Sequence, residues 1–351
     1  MQNKKNFYIN GQWTSPLEPR PFQVINPATE EPCAEISIGG KKDIDAAVAS
    51  AKKAFETWSF TSKDERLDLF EKLYEIYKKN WDQMAKTISL EMGAPIDFST
   101  ELQTKTGASH IKSFKNILKK FEFERTLNEE KNQTVLYEPK GVCALITPWN
   151  WPINQVNLKV IPALAAGCTV VLKPSEIAPL SSMLLAEMMH DAGFPKGVFN
   201  LINGDGAVTG EALTSHPDVD MISFTGSTRA GALISKNAAK DFKRISLELG
   251  GKGANIVFKD AGPDAISWSV LRCFRNSGQS CNAPTRMLVE RSIYDETVEK
   301  VKEFAKKTKV DSPDKNGNHI GPVISENQFD KIQNLIQKGI DEGAKLVAGG
   351  V

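Results

Sequence analysis

Residues 141–173 read GVCALITPWNWPINQVNLKVIPALAAGCTVVLK. The apolar runs at 142–147 and 169–172 are short enough for buried strands, and the segment 154–166 between them has the length of a helix. Two short apolar strands on either side of a helix form the pattern of a parallel βαβ unit. The stretch therefore predicts an α/β fold.

The same alternation of strands and helices continues to residue 249. Further strands are predicted at 198–202, 221–224 and 245–249, and further helices at 181–192, 208–215 and 228–240. This order predicts a doubly wound parallel sheet. A second α/β unit is expected from Ala254, after a boundary at 249–253, and the last residues, 345–351, are expected to begin a new strand.

The residues before 120 follow a different pattern. Short strands are predicted at 7–9 and 22–25, and apolar stripes with helical period follow from Lys42 onward. Residues 121–140 interrupt the helices and predict a long, half-exposed β-hairpin. Two interpretations of it stay open: a surface hairpin, or an arm that pairs with another subunit.

The composition restricts the classes of protein to which the chain can belong. The 351 residues include 44 Lys and Arg against 43 Asp and Glu, for a net charge of +1. That balance argues against a nucleic-acid partner and a membrane surface, and no apolar window is long enough to span a bilayer. The N-terminal residues lack the apolar core of a signal peptide, so a cytoplasmic location is expected.

The five cysteines and four histidines show no spacing typical of a metal site or a disulfide framework. Most cysteines are simply buried, and this is the interpretation for Cys33, Cys143, Cys168 and Cys273. Cys281 differs, because residues 274–285 read FRNSGQSCNAPT and place it after a polar Gly-Gln-Ser turn. A thiol in that setting is a candidate nucleophile.

Two polar side chains lie where apolar segments end. Glu248 stands between Leu247 and Leu249, where a partly desolvated carboxylate would suit general-base catalysis; the alternative is a solvated residue at a strand end. Asn150 lies in PWNWP, residues 148–152. Its amide could donate to an oxyanion, a contact that contributes ~3 kcal/mol, or it could cap the helix that follows.

Several segments at predicted strand ends could hold a dinucleotide. Lys173 and Glu176, in the KPSE that follows a strand, could hydrogen-bond ribose hydroxyls or could be solvated loop charges. FTGS, residues 224–227, runs into a helix whose free N–H groups would suit a pyrophosphate. Residues 204–210 read GDGAVTG, which does not match the Gly-x-Gly-x-x-Gly fingerprint and is weak evidence alone.

The motifs PWNWP, KPSE, FTGS, LELGGK and GQSC occur in this order, and in them the chain resembles the NAD(P)-dependent aldehyde dehydrogenase superfamily. The resemblance covers essentially the whole chain and is closest at 141–286. It implies an aldehyde dehydrogenase-like α/β fold with two doubly wound parallel-sheet domains and a β-hairpin oligomerisation arm. It divides the chain into a dinucleotide-binding domain (1–120 and 141–250), the oligomerisation hairpin (121–140) and an incomplete catalytic domain (251–351).

The resemblance also implies roles for individual residues. Cys281 would be the nucleophile, Glu248 the general base and Asn150 the oxyanion donor. Lys159 matches a family lysine near the catalytic cleft. The implied cofactor contacts are Ile146, Thr147, Trp149, Lys173, Ser175, Glu176, Gly206, Phe224, Gly226, Ser227 and Leu249. NAD is the expected cofactor because Glu176 would repel a 2′-phosphate, although the nearby Lys173 leaves NADP open.

The implied reaction is oxidation of a small-molecule aldehyde to a carboxylate through a thiohemiacetal and a thioester on Cys281, hydrolysed by water that Glu248 activates. Two alternatives stay open: a CoA-acylating relative, against which Glu248 argues, and an inactive dinucleotide-binding fragment. Family members are longer than this chain, so a missing C-terminal part, low activity and exposed apolar surface are expected. The full-length form is expected to be a homodimer or homotetramer.

Overall fold

A computed structural model of the chain describes residues 4–127 and 132–351. The strands are β1 (Phe7–Ile9), β2 (Gln12–Thr14), β3 (Pro21–Asn26), β4 (Glu31–Ser37), β5 (Glu124–Thr126), β6 (Thr134–Leu136), β7 (Val142–Ile146), β8 (Thr169–Lys173), β9 (Phe199–Leu201), β10 (Met221–Gly226), β11 (Arg244–Leu249), β12 (Ala254–Val257) and β13 (Arg286–Val289). The helices are α1 (Lys41–Trp58), α2 (Lys63–Lys79), α3 (Trp81–Met92), α4 (Ile96–Phe98), α5 (Thr104–Lys120), α6 (Pro152–Ala165), α7 (Leu180–Asp191), α8 (Glu211–Ser215), α9 (Thr228–Ala239), α10 (Ala265–Phe274), α11 (Tyr294–Lys307) and α12 (Glu326–Asp341). Within the described ranges, no helix combines the length and the apolar character needed to cross a bilayer.

The central sheet has the strand order β11-β10-β7-β8-β9-β1-β2. Strands β7 to β11 run parallel to one another, and β1 and β2 extend the sheet beyond β9 as antiparallel strands. The order of strands reverses beside β7, since β8 and β9 lie on one side of it and β10 and β11 on the other. Open α/β sheets bind ligands outside the carboxyl ends of the strands at such a switch point. The doubly wound α/β fold predicted from the sequence is confirmed, and its switch point lies between β7 and β10.

Helices cover both faces of this sheet because its strands are apolar on both sides. Val142, Ala144 and Ile146 of β7 share a core with residues of α1, α8 and α9. Cys143 and Leu145 share the other core with residues of α6 and α7. Successive strand side chains point to opposite faces, so all five residues of β7 are buried, as is usual for parallel strands between two helical layers.

Strands β5 and β6 form an antiparallel hairpin. The hairpin predicted at 121–140 is thus confirmed, while residues 128–131 of its expected turn lie outside the described part of the chain. At its base Phe121 makes edge-on ring contacts with Phe123 and Tyr137. Among the described strands, β5 and β6 pair only with each other, and most of their residues are exposed.

The chain after β11 forms a smaller α/β unit. β12 and β13 are parallel, and α10 packs against β12 and α11. The strand predicted at 345–351 is wrong, because these residues form no ladder of backbone hydrogen bonds with any of the described strands. The expected exposure of apolar surface is confirmed in this unit, where the exposed side chains include Ile256, Phe258, Trp268, Leu288 and Leu335.

Candidate active site

A left-handed turn precedes the candidate nucleophile. Asn276, Ser277 and Gly278 have φ values of 57°, 56° and 74°. Non-glycine residues seldom take this conformation because Cβ approaches the carbonyl oxygen, at a cost of about 1–2 kcal/mol per residue. The turn follows α10, and three residues beyond it Cys281 is free and exposed. The exposed thiol was predicted from the sequence, but the strained turn that presents it was not.

Hydrogen bonds to neighbouring segments hold this turn in place. Ser277 Oγ donates to the carbonyl oxygen of Gly321 across 2.7 Å. The backbone N–H of Ile324 donates to Gln279 Oε1 across 3.0 Å, and Gln279 Nε2 donates to the carbonyl oxygen of Asn276 across 3.1 Å. These contacts offset the cost of the left-handed backbone, as expected where strain persists at a functional site.

The loop after β7 is fastened to the same turn. Asn150 Nδ2 donates to the carbonyl oxygen of Gln279 across 2.8 Å, and Asn276 Nδ2 donates to the carbonyl oxygen of Asn150 across 2.9 Å. Trp151 Nε1 donates to Ser280 Oγ across 2.9 Å. The PWNWP and GQSC motifs, whose contacting residues are 129 positions apart in the chain, therefore form one hydrogen-bonded unit.

The interpretation of Asn150 as a helix cap is wrong. Helix α6 begins after Trp151 and has no side-chain cap. The Asn150 amide is directed instead toward the turn before Cys281, and its Oδ1 is buried without a partner in the described residues. Sequence reasoning missed Gln103, whose Nε2 donates to the Asn150 carbonyl oxygen across 3.2 Å from a π-helical segment with no motif of its own.

Glu248 is exposed, so of the two interpretations left open by the sequence, the structure supports the solvated residue at a strand end and not the partly desolvated carboxylate. It lies on β11, an edge strand of the central sheet, where Leu247 and Leu249 turn toward the core and Glu248 turns away from it. Two residues after β11, a Cβ placed on Gly251 would lie 4.0 Å from the carbonyl oxygen of Cys281. The segment that carries Glu248 therefore reaches the segment that carries the thiol.

Lys159 lies buried in α6 beneath the same region. Its Nζ donates to Ser223 Oγ, on β10, across 2.9 Å. Burial lowers the pKa of Lys159 to about 8, and the negative charge of Glu248 acts in the opposite direction. The lysine is thus within electrostatic reach of the carboxylate and near half protonation at mildly alkaline pH.

At the switch point, polar groups meet at the carboxyl ends of β7 and β10. Ile146 of β7 and Phe224 of β10 are paired in register. The next residues, Thr147 and Thr225, have hydroxyls that are buried without a partner in the described residues. Ser227 Oγ accepts a hydrogen bond from the Ala230 N–H, so Ser227 caps the start of α9. Of these residues, Thr225 is one that sequence reasoning missed, although it lies inside FTGS.

Gly226 is restricted by its own strand, because a Cβ there would lie 2.4 Å from Phe224 Cζ. Only a glycine fits this position without moving the ring. Gly206 lies in open space instead, with no atom within 4 Å of the place for a Cβ. It begins a π-helical segment after β9 that is capped by Asp205, whose carboxylate accepts the Val208 N–H across 2.7 Å. The loop after β9 thus offers exposed backbone at the carboxyl edge of the sheet.

Lys173, at the end of β8, is a buried cation rather than a solvated loop charge. Its Nζ donates to the carbonyl oxygens of Pro174 and Gly204 across 3.0 and 2.5 Å, and lies 3.7 Å from the Glu176 carboxylate. Burial lowers the pKa of Lys173 while Glu176 raises it. Lys173 therefore holds two strand-end loops together, and Glu176 is half-buried beside it.

The residues predicted to contact a cofactor all lie along the carboxyl edge of the parallel strands. By strand, from β7 to β11, they are Ile146, Thr147 and Trp149; Lys173, Ser175 and Glu176; Gly206; Phe224, Gly226 and Ser227; and Leu249. The structure brings this set to one edge of the sheet, and the PWNWP loop joins that edge to the Cys281 turn.

Comparison with known proteins gives consistent matches. The model of the aldehyde dehydrogenase family matches residues 13–351. A 3-succinoylsemialdehyde-pyridine dehydrogenase from a Pseudomonas species is 49% identical over 353 residues, which cover 100% of this chain and 73% of the relative.

Solved structures agree with these matches. A Bartonella henselae aldehyde dehydrogenase has a TM-score of 0.98 and 60% identity, covering 100% of this chain and 74% of the other. A mutant of Pseudomonas syringae aldehyde dehydrogenase C, in complex with NAD⁺ and octanal, has a TM-score of 0.97 and 46% identity, covering 99% and 71%. The chain belongs to the aldehyde dehydrogenase family of NAD(P)-dependent enzymes.

Proposed function

We propose that the chain oxidises its aldehyde through a covalent bond between the substrate carbonyl carbon and Cys281. The observation that carries this proposal is the hydrogen bond from Asn150 to the backbone of Gln279, two residues before the exposed Cys281. A nucleophile and an amide donor fixed to the same turn suit attack on a carbonyl group, because the oxyanion that forms needs a donor already in position.

In the proposed mechanism, the Cys281 thiolate attacks the aldehyde and forms a thiohemiacetal. Asn150 Nδ2 carries two hydrogens, and one of them is used on Gln279, so the second is available to the oxyanion. The backbone N–H of Cys281 is the second proposed donor. Such a donor typically accounts for ~10²–10³ in rate.

Glu248 is the proposed base for hydrolysis of the thioester. Its exposure leaves it accessible to the water that it would activate. Hydrolysis by activated water is the step that a CoA-acylating enzyme does not need. The presence of a carboxylate here therefore favours release of a free carboxylic acid.

The residues at the switch point fit a dinucleotide. Two buried hydroxyls without partners, on Thr147 and Thr225, and the N-terminus of α9 at Ser227 are polar groups for which a ribose–phosphate ligand has partners. Glu176 beside Lys173 is proposed to favour NAD over NADP, since a 2′-phosphate would meet a like charge. Bound NAD(P)⁺ supplies the hydride acceptor for the oxidation. The P. syringae relative was crystallised with NAD⁺ and an aldehyde, which supports this assignment.

The proposed domain roles follow from these positions. Residues 1–120 and 141–250 would form the dinucleotide-binding domain and 251–351 the catalytic domain, with the hairpin at 121–140 as the oligomerisation arm. Exposed Leu127 and Leu136 on the hairpin support a contact with a second subunit. Replacing the hairpin by a short turn should lower the mass measured by light scattering; an unchanged mass would contradict the arm.

The function is tested by incubating the purified chain with octanal and NAD⁺ while NADH absorbance and the intact mass are recorded. We expect an acyl adduct on Cys281 together with NADH, and loss of both in Cys281→Ala. Cys273→Ala is the matched control, because Cys273 lies at the end of α10 just before the turn and is half-buried. NADH formation that survives Cys281→Ala would overturn the covalent mechanism, and absence of both signals in the parent chain would favour an inactive fragment.

A further inference from the structure

Cys281 occupies a corner of a tight β-turn. The Ala283 N–H donates to the Ser280 carbonyl oxygen across 3.1 Å and closes the turn, in which Cys281 and Asn282 are the two central residues. The closing bond does not use the N–H of Cys281, which donates to no acceptor within residues 4–127 and 132–351. This N–H is therefore available to the oxyanion, as its proposed role as the second donor requires.

The direction of the Cys281 N–H is set by the residue before it. Ser280 and Cys281 share one peptide group, which is planar and trans, so its N–H points away from its carbonyl oxygen. The Ala283 N–H holds that carbonyl oxygen, and the indole N–H of Trp151 holds the Ser280 hydroxyl oxygen across 2.9 Å. A rotation of the peptide group would redirect the Cys281 N–H, and these two contacts oppose it.

Trp151 is held at three points, so it can act as a fixed anchor. Its carbonyl oxygen accepts the Gln155 N–H across 2.9 Å in the first turn of α6. Its ring packs edge-on against Phe98, with ring centroids 5.4 Å apart and an angle of 62° between the planes. The third point is the bond to Ser280. A side chain whose backbone and ring are already fixed loses little further conformational entropy when its N–H bonds to a partner.

Trp151 and its neighbour Asn150 both hold the turn, but they differ in the hydrogens that they can donate. Asn150 bonds to Gln279 and Trp151 bonds to Ser280, so consecutive loop residues hold the two residues that directly precede Cys281. The Asn150 amide has a second hydrogen left for the substrate, whereas the indole of Trp151 has one hydrogen and Ser280 takes it. Trp151 therefore contributes to the geometry of the site without being an oxyanion donor.

We propose that Trp151 is a positioning residue whose hydrogen bond to Ser280 aims the Cys281 N–H at the oxyanion. The inference rests on the covalent mechanism proposed above, and it adds to that mechanism the group that orients the second donor. Trp151→Phe would keep an aromatic ring against Phe98 and lose the N–H, whereas Ser280→Ala would lose the acceptor of the same bond. Either change should release the same peptide group.

The test measures acetylation of Cys281 by p-nitrophenyl acetate, a probe that needs no NAD⁺. The thiolate attacks the ester carbonyl carbon and forms an oxyanion; the bond from that carbon to the phenolic oxygen then breaks, p-nitrophenolate leaves, and a thioester remains on Cys281. The absorbance of p-nitrophenolate gives the rate, and Cys281→Ala gives the background from other groups. We expect Trp151→Phe and Ser280→Ala each to lower the maximal rate about tenfold, with the half-maximal ester concentration unchanged.

Control variants separate the hydrogen bond from other effects. The double variant Trp151→Phe, Ser280→Ala should be no slower than either single variant, because both changes break one bond. Ser280→Thr keeps a hydroxyl and should react at a rate near that of the parent chain. Trp81→Phe is the matched control, because its ring lies on α3 against Tyr77, away from the turn. Alkylation of Cys281 by iodoacetamide forms no oxyanion and should change little in any variant. Circular dichroism checks folding, and if Trp151→Phe does not fold, Ser280→Ala tests the same bond.

Four results would overturn the proposal. One is an unchanged acetylation rate in Trp151→Phe and Ser280→Ala. The second is an additive loss in the double variant, since the two side chains would then act separately. The third is equal slowing of alkylation, which would place the effect on the thiol. The fourth is a rise in the half-maximal ester concentration alone, which would make Trp151 a substrate contact.

The reaction with octanal and NAD⁺ is run in parallel, so that failure of the proposed function is seen separately. If the parent chain forms no NADH but its acetylation by the ester depends on Trp151, the dehydrogenase function is contradicted and the positioning role is supported. If NADH forms and acetylation does not depend on Trp151, the function stands and the positioning role is overturned.

Discussion

The side-chain amide of Asn150 donates a hydrogen bond to the carbonyl oxygen of Gln279 across 2.8 Å. One end of the bond belongs to the loop after a central strand and the other to the turn that presents Cys281. The contact means that the candidate oxyanion donor and the candidate nucleophile keep a fixed relative position before any substrate arrives, as electrostatic preorganisation requires.

Removal of that donor should impair formation of the covalent adduct. Asn150→Ala is expected to slow acylation of Cys281 by roughly 100-fold, because the oxyanion loses a fixed donor. The rate is measured by mass spectrometry of the adduct with octanal and NAD⁺. Alkylation of Cys281 by iodoacetamide is the control, since it forms no oxyanion and should change little. Equal slowing of both reactions would show that Asn150 only supports the turn.

Lys159 should make the stability of the chain depend on alkaline pH. Burial lowers the pKa of Lys159 from 10.5 to about 8, so the folded state disfavours the charged form. The resulting destabilisation is full below pH 8 and is relieved as the pH rises from about 8 to about 10.5. Lys159→Met should therefore raise the free energy of unfolding at pH 7 and reduce its rise over that window. Urea unfolding at several pH values measures the free energy of unfolding of both proteins. Parallel curves of that free energy against pH would contradict the prediction.

Glu91 should give a dependence of opposite sign in the acidic range. This fully buried carboxyl of α3 accepts the backbone N–H groups of Leu180 and Ser181 at the start of α7, and burial raises its pKa from 4.5 to about 7. The folded state thus favours the protonated form, a contribution to stability that is present below pH 4.5 and is lost as the pH rises to about 7. Glu91→Gln should flatten this fall, which amounts to roughly 3 kcal/mol. If Glu91→Gln keeps the same fall of unfolding free energy with pH, a group other than Glu91 causes that fall.

Gly141 should tolerate no side chain. Its φ is +127°, and a Cβ would lie 2.0 Å from Asp220 Oδ2, which accepts the Val142 N–H that opens β7. Gly141→Ala is expected to cost more than about 3 kcal/mol of unfolding free energy, because it adds a clash to the backbone strain. Gly193→Ala is the matched control: its φ is +83° and no atom lies near the added Cβ, so only about 1 kcal/mol is expected. Equal losses of unfolding free energy in the two variants would show that the clash with Asp220 does not contribute.

Thr225 should affect stability and cofactor binding in opposite directions. Its hydroxyl is buried without a partner in the described residues, so Thr225→Val should leave the free chain as stable or raise its stability by about 1 kcal/mol. The same change should weaken NAD⁺ binding, which isothermal titration calorimetry measures, because the ligand loses the Thr225 hydroxyl as a hydrogen-bond partner. Thr209→Val is a contrast, because the Thr209 hydroxyl already bonds to the Gly39 carbonyl. Unchanged NAD⁺ affinity in Thr225→Val would separate this hydroxyl from the cofactor site.

Local sequence patterns were sufficient for much of the fold. The apolar runs of β7, β8 and β10 and the helices between them follow from period and length, and motif order placed the candidate site at their carboxyl ends. The pairing of strands that lie far apart in the sequence left no such local pattern. Nothing in Phe7–Ile9 indicated that β1 joins β9, because strand pairing depends on which surfaces meet in three dimensions.

The site departs from the sequence prediction where neighbours determine the environment. The exposure of Glu248 follows from the place of β11 at the sheet edge, which its flanking leucines do not reveal. The left-handed conformation of Asn276 and Ser277 depends on support from Gly321 and Ile324, more than forty residues away in the chain.

The pairing of β1 with β9 sets an order for synthesis on the ribosome. The backbone N–H of Asn10, just after β1, bonds to Asn200 Oδ1 across 190 residues of sequence. At ~5–20 residues per second, the first strand of the chain therefore waits roughly 10–40 s for its partner to emerge. Until then the edge of β1 is open to pairing with other chains, so aggregation during synthesis is a hazard that this long-range pairing creates.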